Sequence, residues 1–159
     1  MDHLWSPWRY QYVTANAPAG GCLFCDLAAV DDETGLIVHR GNLNFILLNR
    51  YPYTSGHLMI APFEHTDSLA AARPETAAEM MDLVRRTETV LRHVYQPGGI
   101  NIGMNLGASA GAGVAGHIHM HALPRWPGDA NFMTAIAETR VMVEDLAVTW
   151  RKLREAFAA

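Results

Sequence analysis

The sequence has no run that approaches the roughly 18 apolar residues of a membrane span, and its first residues contain neither the basic segment nor the apolar core of a secretion signal. Basic residues are also few, since 12 Lys and Arg stand against 16 Asp and Glu and give a formal net charge of −4. A negatively charged chain is poorly suited to nonspecific binding of long nucleic acid, although a small polyanion needs only a local positive site. We therefore expect a cytoplasmic protein that binds neither a membrane nor long nucleic acid.

Cysteine is scarce as well, with two residues arranged as Cys22-Leu-Phe-Cys25. Without a secretion signal, a structural disulfide is not expected. A redox pair normally opens a helix in a βαβ unit, and the surrounding sequence predicts no such unit. A zinc site needs two further ligands, which the 8 histidines can supply. Three interpretations stay open here: a zinc site, which the histidines favour, a pair of unligated thiols, and a redox pair.

The length of 159 residues suits one domain with a single core. Residues 1–21 hold several aromatic side chains and end in a proline and two glycines, which predicts an arm that packs on the domain or on a partner subunit. We expect the remaining residues, 22–159, to form that single domain. Repeats and low-complexity segments are absent.

Turn residues divide the domain into short strands and two helices. The predicted strands are 36–39, 45–48, 58–62, 100–105 and 117–123, and Gly41-Asn42 predicts a hairpin between the first two. A long helix begins at Pro74 and ends before Pro97, with one apolar stripe formed by Ala77, Met80, Met81, Val84, Leu91 and Val94. A second helix is predicted over 139–157. The pattern indicates an α+β fold with the long helix packed on one face of an antiparallel sheet.

Three histidines at alternate positions, His117, His119 and His121, are the most informative feature of the chain. In an extended strand they would line one face at spacings of about 6.5–7 Å, with the intervening apolar residues directed into a core. A structural strand rarely carries such a row of imidazoles, which are suited to metal binding, proton transfer and nucleophilic attack. The preceding segment 105–116 is rich in glycine, and glycine lets backbone N–H groups approach a phosphate closely. Together these segments predict one wall of an anion site.

Residues His117 to Leu123 match the His-apolar-His-apolar-His-apolar-apolar signature, so the chain resembles the histidine triad family. The resemblance implies a five-stranded antiparallel sheet with a long helix and a homodimer. It also implies that His119 is the nucleophile and forms a nucleotidyl-histidine intermediate. The resemblance also places His57 beside the triad as a supporting group. The implied contacts to the nucleotide come from Asn49 on the ribose, and from His121 and the backbone or side chains of Asn105, Gly107 and Ser109 on the phosphates.

Family members with a Cys-x-x-Cys motif use the first histidine of the triad in a structural zinc site. By resemblance, the ligands here are Cys22, Cys25, His65 and His117, an S₂N₂ set suited to tetrahedral zinc. His117 is therefore both a member of the catalytic triad and an expected metal ligand.

Four further segments resemble a bacterial branch of the family that includes diadenosine tetraphosphate phosphorylases and dinucleoside polyphosphate hydrolases. They are Leu4-Trp-Ser-Pro-Trp-Arg-Tyr, Asn49-Arg-Tyr-Pro-Tyr-Thr-Ser-Gly-His-Leu-Met, Gly103-Met-Asn-Leu-Gly-Ala-Ser-Ala-Gly and Pro124-Arg-Trp-Pro-Gly-Asp-Ala-Asn-Phe. In the last of them, Arg125 is a candidate for holding an incoming phosphate. One departure is Ala112-Gly113, where many relatives have Gln followed by Ser or Thr.

The resemblance implies a nucleotidyl transferase or hydrolase that cleaves dinucleoside polyphosphates, with diadenosine tetraphosphate as the expected substrate and phosphate or water as the acceptor. Three alternatives stay open: a nucleoside phosphoramidate hydrolase, a nucleotide-binding sensor with slow turnover, and a structural zinc module.

Overall fold

One antiparallel sheet organises the domain. The computed structural model describes residues 21–129 and 144–159; the predicted arm, except Gly21, lies outside the described residues. The strands are β1 (Ile37–Arg40), β2 (Asn44–Leu48), β3 (Leu58–Pro62), β4 (Gly99–Met104) and β5 (Met120–Arg125), in the order β1-β2-β3-β5-β4. The helices are α1 (Leu23–Ala29), α2 (Pro74–Tyr95) and α3 (Leu146–Ala158), and a 3₁₀ turn spans Ala108–Ala110. The predicted α+β fold, with five antiparallel strands and a long helix, is confirmed.

The central strands are buried on both faces, so alternate residues belong to two different cores. On one face, Ile46 and Leu48 of β2 and Ala122 of β5 pack under α2 and α3. On the other face, Phe45 and Leu47 pack with Phe24 of α1. This double burial explains why β2 and β3 contain nearly continuous apolar runs rather than an alternation of apolar and polar residues.

Helix α2 begins and ends where its sequence predicts. Pro74 occupies the first turn of the helix, where no intrahelical hydrogen bond needs the N–H that proline lacks. Gln96 ends the helix in the left-handed conformation, at φ 44°, and its N–H donates to the carbonyl of Arg92. Met80, Val84 and Leu91 are buried as expected, whereas Met81 is 52% exposed and does not belong to the stripe.

Two predicted boundaries are wrong. The triad does not lie wholly in a strand, because β5 begins at Met120 and its pairing with β3 ends at Ile60↔Met120. Two positions farther along β3, the same register would set Pro62 opposite Ile118, and proline has no N–H to exchange with the opposite strand. Helix α3 begins at Leu146, after an N-cap at Asp145 whose side chain accepts from the N–H of Ala147. The predicted residues 139–143 of this helix lie outside the described residues.

The sequence pattern does not predict helix α1. It has seven residues, and Cys22 is its N-cap, so the Cys-x-x-Cys motif does open a helix. The strand that follows α1, β1, pairs antiparallel with β2, and the described residues contain no βαβ unit around the motif. Within the described ranges, no helix is both long enough and apolar enough to cross a membrane.

Candidate active site and metal centre

The histidines gather on the sheet face opposite α2. In β5, His121 pairs with Met59 of β3, which belongs to the core under α1. His119 and His117 lie in the segment that leads into β5, and both are buried. His57, immediately before β3, is fully buried beside them. The structure thus brings together all four histidines that the sequence assigns to the catalytic group.

The hydrogen bond made by His119 determines which of its ring nitrogens can react. Its Nδ1 lies 2.9 Å from the backbone carbonyl of His117. A carbonyl only accepts, so Nδ1 must carry the proton and Nε2 must carry the free lone pair. Burial lowers the pKa of His119, and the carbonyl opposes this only in part, so the ring is neutral at pH 7. Neutral imidazole with a free Nε2 is the form required of a nucleophile.

A second chain of hydrogen bonds assigns the tautomers of the other two histidines. The backbone N–H of Tyr53 donates to Nδ1 of His57 over 3.2 Å. Neutral His57 therefore carries its proton on Nε2, which lies 2.9 Å from Nδ1 of His121. Since that nitrogen accepts, His121 carries its own proton on Nε2 and can donate it to a phosphate oxygen.

Burial keeps both members of this pair neutral. Burial, assisted by the neighbouring imidazoles of His121 and His119, lowers the pKa of His57 to about 3. Burial, assisted by His119, lowers the pKa of His121 to about 4. Both values lie far below neutral pH, so the relay of donors and acceptors described above holds under ordinary conditions.

A metal-binding geometry lies at the other end of the triad. One ligand atom from each of Cys22, Cys25, His65 and His117 lies within 4.8 Å of all the others. The separation from Nδ1 of His117 to the sulfur is 3.2 Å for Cys22 and 3.7 Å for Cys25, and the Cys25 sulfur lies 3.5 Å from Nδ1 of His65. Tetrahedral zinc with ordinary Zn–S and Zn–N bonds holds a sulfur and a nitrogen about 3.6 Å apart. The four residues therefore fit zinc.

The orientation of His117 also fits a metal ligand. Its Nε2 lies 2.9 Å from the carbonyl of Pro62, so Nε2 carries the proton and Nδ1 presents its lone pair to the two sulfurs. Metal-binding histidines commonly donate their second N–H to a carbonyl in this way. Burial and the hydrogen-bonding interaction with Cys22 raise the pKa of the Cys25 thiol, as expected for two sulfurs close together.

Helix α1 connects the metal-binding cluster to the candidate nucleophile. Phe24 lies between the two cysteines, and its ring centroid is 5.2 Å from that of His117 and 4.7 Å from that of His119. The sequence pattern does not single out Phe24 or Pro62. The only sequence signal for Phe24 is its position between the two cysteines, and the only one for Pro62 is its position shortly before His65.

The residues predicted to bind substrate lie at the ends of strands and in the glycine-rich loop. Asn49, just after β2, accepts the N–H of Tyr51 at 2.9 Å through its side-chain oxygen. Asn105 makes a long 3.4 Å bond to the carbonyl of Gly111. Gly107 adopts φ +84°, a conformation that favours glycine, and Ser109 is exposed in the 3₁₀ turn. Their contacts with a nucleotide stay predictions.

Arg125 lies at the end of β5 that is farther from His119 and His117. It is the last residue of β5, four positions or about 13 Å beyond His121. Its Nε donates to Asp129 at 2.6 Å and its Nη1 to the side chain of Asn101 at 2.8 Å. The guanidinium is thus held at the far end of the strand by two partners, and its contact with an incoming phosphate stays a prediction.

Comparisons with known proteins show the family of this chain. The family model described as the HIT domain matches residues 32–128. A Mycobacterium tuberculosis protein named AP-4-A phosphorylase is 38% identical over 167 aligned residues, which cover 99% of this chain and 85% of that protein. A zinc-bound histidine triad protein from Mycobacterium smegmatis has a similar structure, with a TM-score of 0.69 and 30% identity over 87% of this chain and 94% of that one.

A histidine triad nucleotide-binding protein from Sulfolobus tokodaii is also similar, with a TM-score of 0.69 and 25% identity over 86% of this chain and 92% of that one. The match to the family model, the identity over nearly the whole chain and the shared fold lead to one conclusion. This chain is an enzyme of the histidine triad (HIT) family.

Proposed function

We propose that the protein cleaves dinucleoside polyphosphates by nucleotidyl transfer through His119, with diadenosine tetraphosphate as substrate. Nε2 of His119 attacks the α-phosphorus, the P–O bond to the remaining polyphosphate breaks, and AMP stays bonded to the imidazole while ATP leaves. The N–H of His121 donates to a phosphate oxygen as negative charge develops there. Phosphate or water then attacks the same phosphorus and releases AMP from His119 as ADP or as AMP.

The observation that carries this proposal is the hydrogen bond from Nδ1 of His119 to the carbonyl of His117. It selects the tautomer with a free Nε2, and burial keeps the ring neutral. The His57–His121 bond supplies a proton donor next to it, since the rings of His119 and His121 lie 4.9 Å apart. Support for the choice of substrate comes from the relative named AP-4-A phosphorylase, which aligns with 99% of this chain.

We also propose that zinc binds to Cys22, Cys25, His65 and His117 as a structural ion. A closed S₂N₂ set leaves no open coordination position, so the metal would stabilise the fold rather than contact the substrate. It would fix His117, whose carbonyl determines the tautomer of His119, and α1, whose Phe24 packs on the His119 ring.

Product analysis tests the proposed reaction. We expect diadenosine tetraphosphate to give ATP in every case, together with ADP if phosphate accepts the AMP, or AMP if water does. Phosphorolysis would require added phosphate, whereas hydrolysis would proceed equally without it. Faster cleavage of an adenosine phosphoramidate than of the tetraphosphate would replace the proposed function with phosphoramidate hydrolysis. Nucleotide binding with no product from any of these substrates would instead indicate a nucleotide-binding sensor.

The second prediction concerns assembly, which we propose to be a homodimer formed through β4. This strand is at one edge of the sheet, and its Ile102 is 42% exposed. Light scattering should give about twice the chain mass of 17.5 kDa. Ile102→Lys should shift the protein toward the monomer, because a charge on an edge strand opposes pairing. Val148→Lys, at a site on α3 that is 40% exposed, should leave the dimer intact. A wild-type monomer at micromolar concentration would contradict the proposal.

A further inference from the structure

The loop before β3 and the end of β5 meet where backbone pairing between the two strands stops. The last pair in register is Leu58↔Ala122, so two positions farther on the same register would set Gly56 opposite Pro124. Proline has no N–H, and this position cannot exchange the usual two backbone hydrogen bonds. The bond between His57 and His121 nevertheless joins these same two segments, so another contact must hold them in place.

Thr54 makes that contact. Its hydroxyl donates to the carbonyl of Pro124 over 3.1 Å, between two buried residues that are 70 positions apart in the chain. Its own carbonyl accepts the N–H of His57 over 3.2 Å. One buried residue therefore bonds both to the histidine and to the strand that carries the partner of that histidine.

The packing around Gly56 shows how closely the loop is seated. Gly56 has φ +79°, and a Cβ there would lie 2.9 Å from Cε2 of Tyr95 and 3.3 Å from Cγ of Pro124. These distances leave no room for a side chain. The loop thus rests directly on β5 and α2, and the Thr54 hydroxyl is the polar bond inside this apolar contact.

We propose that Thr54 is a positioning residue that holds His57 at hydrogen-bond distance from His121. Without the hydroxyl, the carbonyl of Pro124 would lose its partner and the loop would separate from β5. The His57–His121 bond would then lengthen, and His121 would no longer be held to the tautomer that donates through Nε2. The effect on turnover rests on the proposed function, whereas the effect on the two imidazoles does not.

The test compares Thr54→Val with Thr87→Val, since both substitutions replace a buried threonine hydroxyl by a methyl group. The Thr87 hydroxyl has no hydrogen-bond partner among the described residues, so this variant controls for the substitution itself. We expect Thr54→Val to lower kcat for diadenosine tetraphosphate about ten- to a hundredfold with KM within about twofold. Thr87→Val and Thr54→Ser, which keeps the Thr54 hydroxyl, should retain kcat.

Imidazole ¹⁵N chemical shifts provide a readout that needs no substrate. In the wild type, His57 and His121 should each show one fixed tautomer, with the proton on Nε2. Thr54→Val should move both toward the averaged shifts of a ring that exchanges tautomers, and Thr54→Ser should not. Unchanged ¹⁵N shifts in Thr54→Val, or a higher KM with unchanged kcat, would overturn the positioning role. Loss of kcat in Thr54→Ser would overturn it even if Thr54→Val did not fold.

A protein with no activity on any dinucleoside polyphosphate would refute the proposed function and leave the ¹⁵N comparison as the test of Thr54. Normal wild-type turnover with identical ¹⁵N shifts in Thr54→Val and the wild type would refute only the role of Thr54.

Discussion

Replacing His119 with alanine is expected to lower turnover of diadenosine tetraphosphate by about 10⁵-fold, because the covalent route loses its nucleophile. Nucleotide affinity should stay within about tenfold, since affinity depends on contacts to the ribose and phosphates rather than on the reacting nitrogen. Steady-state kinetics with product chromatography measures the first quantity, and calorimetric titration with ATP measures the second. Acid quench should trap AMP on the wild-type protein and none on the variant.

Two other histidine variants make the result specific. His121→Ala should reduce turnover less than His119→Ala does, because a donor that stabilises charge contributes about 10²- to 10³-fold in comparable sites. His93→Ala removes an exposed imidazole from the last turn of α2 and should leave turnover unchanged. Wild-type turnover in His119→Ala would exclude a nucleotidyl-histidine at this position.

The sequence predicts most of the sheet because residues that strongly favour turns stand between the strands. Gly41-Asn42 correctly indicates the hairpin between β1 and β2, and Pro74 correctly marks the start of α2. The errors arise where tertiary contacts override the local pattern. The alternation of the triad predicts a strand from His117, but the N–H of Ile118 donates to the carbonyl of Thr66 outside the sheet. Proline at position 62 is a local reason for this, and it is visible only once the register of β3 and β5 is known.

The sequence predicts which residues form the candidate site but not which hydrogen bonds they make. Spacing identifies the three histidines of the triad, and the resemblance adds His57 and His65. The tautomers, however, depend on three backbone groups from distant segments: the carbonyls of His117 and Pro62 and the N–H of Tyr53. Nearly every residue has the same backbone N–H and carbonyl, so the sequence does not show which of these groups will contact the imidazoles. Thr54 escapes prediction for a similar reason, because its acceptor is the carbonyl of a residue 70 positions away.

Substitution of Cys22 by serine should remove the proposed zinc and lower the stability of the protein. Purified wild type should contain about one zinc per chain, and the variant should contain almost none, since serine is a poor zinc ligand. A structural metal contributes its binding free energy to folding. We expect the Tm to fall by about 10 °C or more, because each kcal/mol corresponds to about 2–4 °C in a chain of this size. Elemental analysis and calorimetry measure the two effects.

The same substitution separates a structural metal from the other interpretations of the cysteines. Wild type treated with a chelator should reach the Tm of Cys22→Ser, and chelation of the variant should change nothing further. His93→Ala, which removes a histidine outside the cluster, should keep both the zinc and the Tm. If zinc holds the His117 carbonyl and Phe24 in place, loss of the metal should also reduce kcat, because His119 depends on both contacts. A wild-type protein that contains no metal and whose Tm does not change on chelation would contradict the zinc site. Reversible disulfide formation between Cys22 and Cys25 in that protein would establish a redox pair instead.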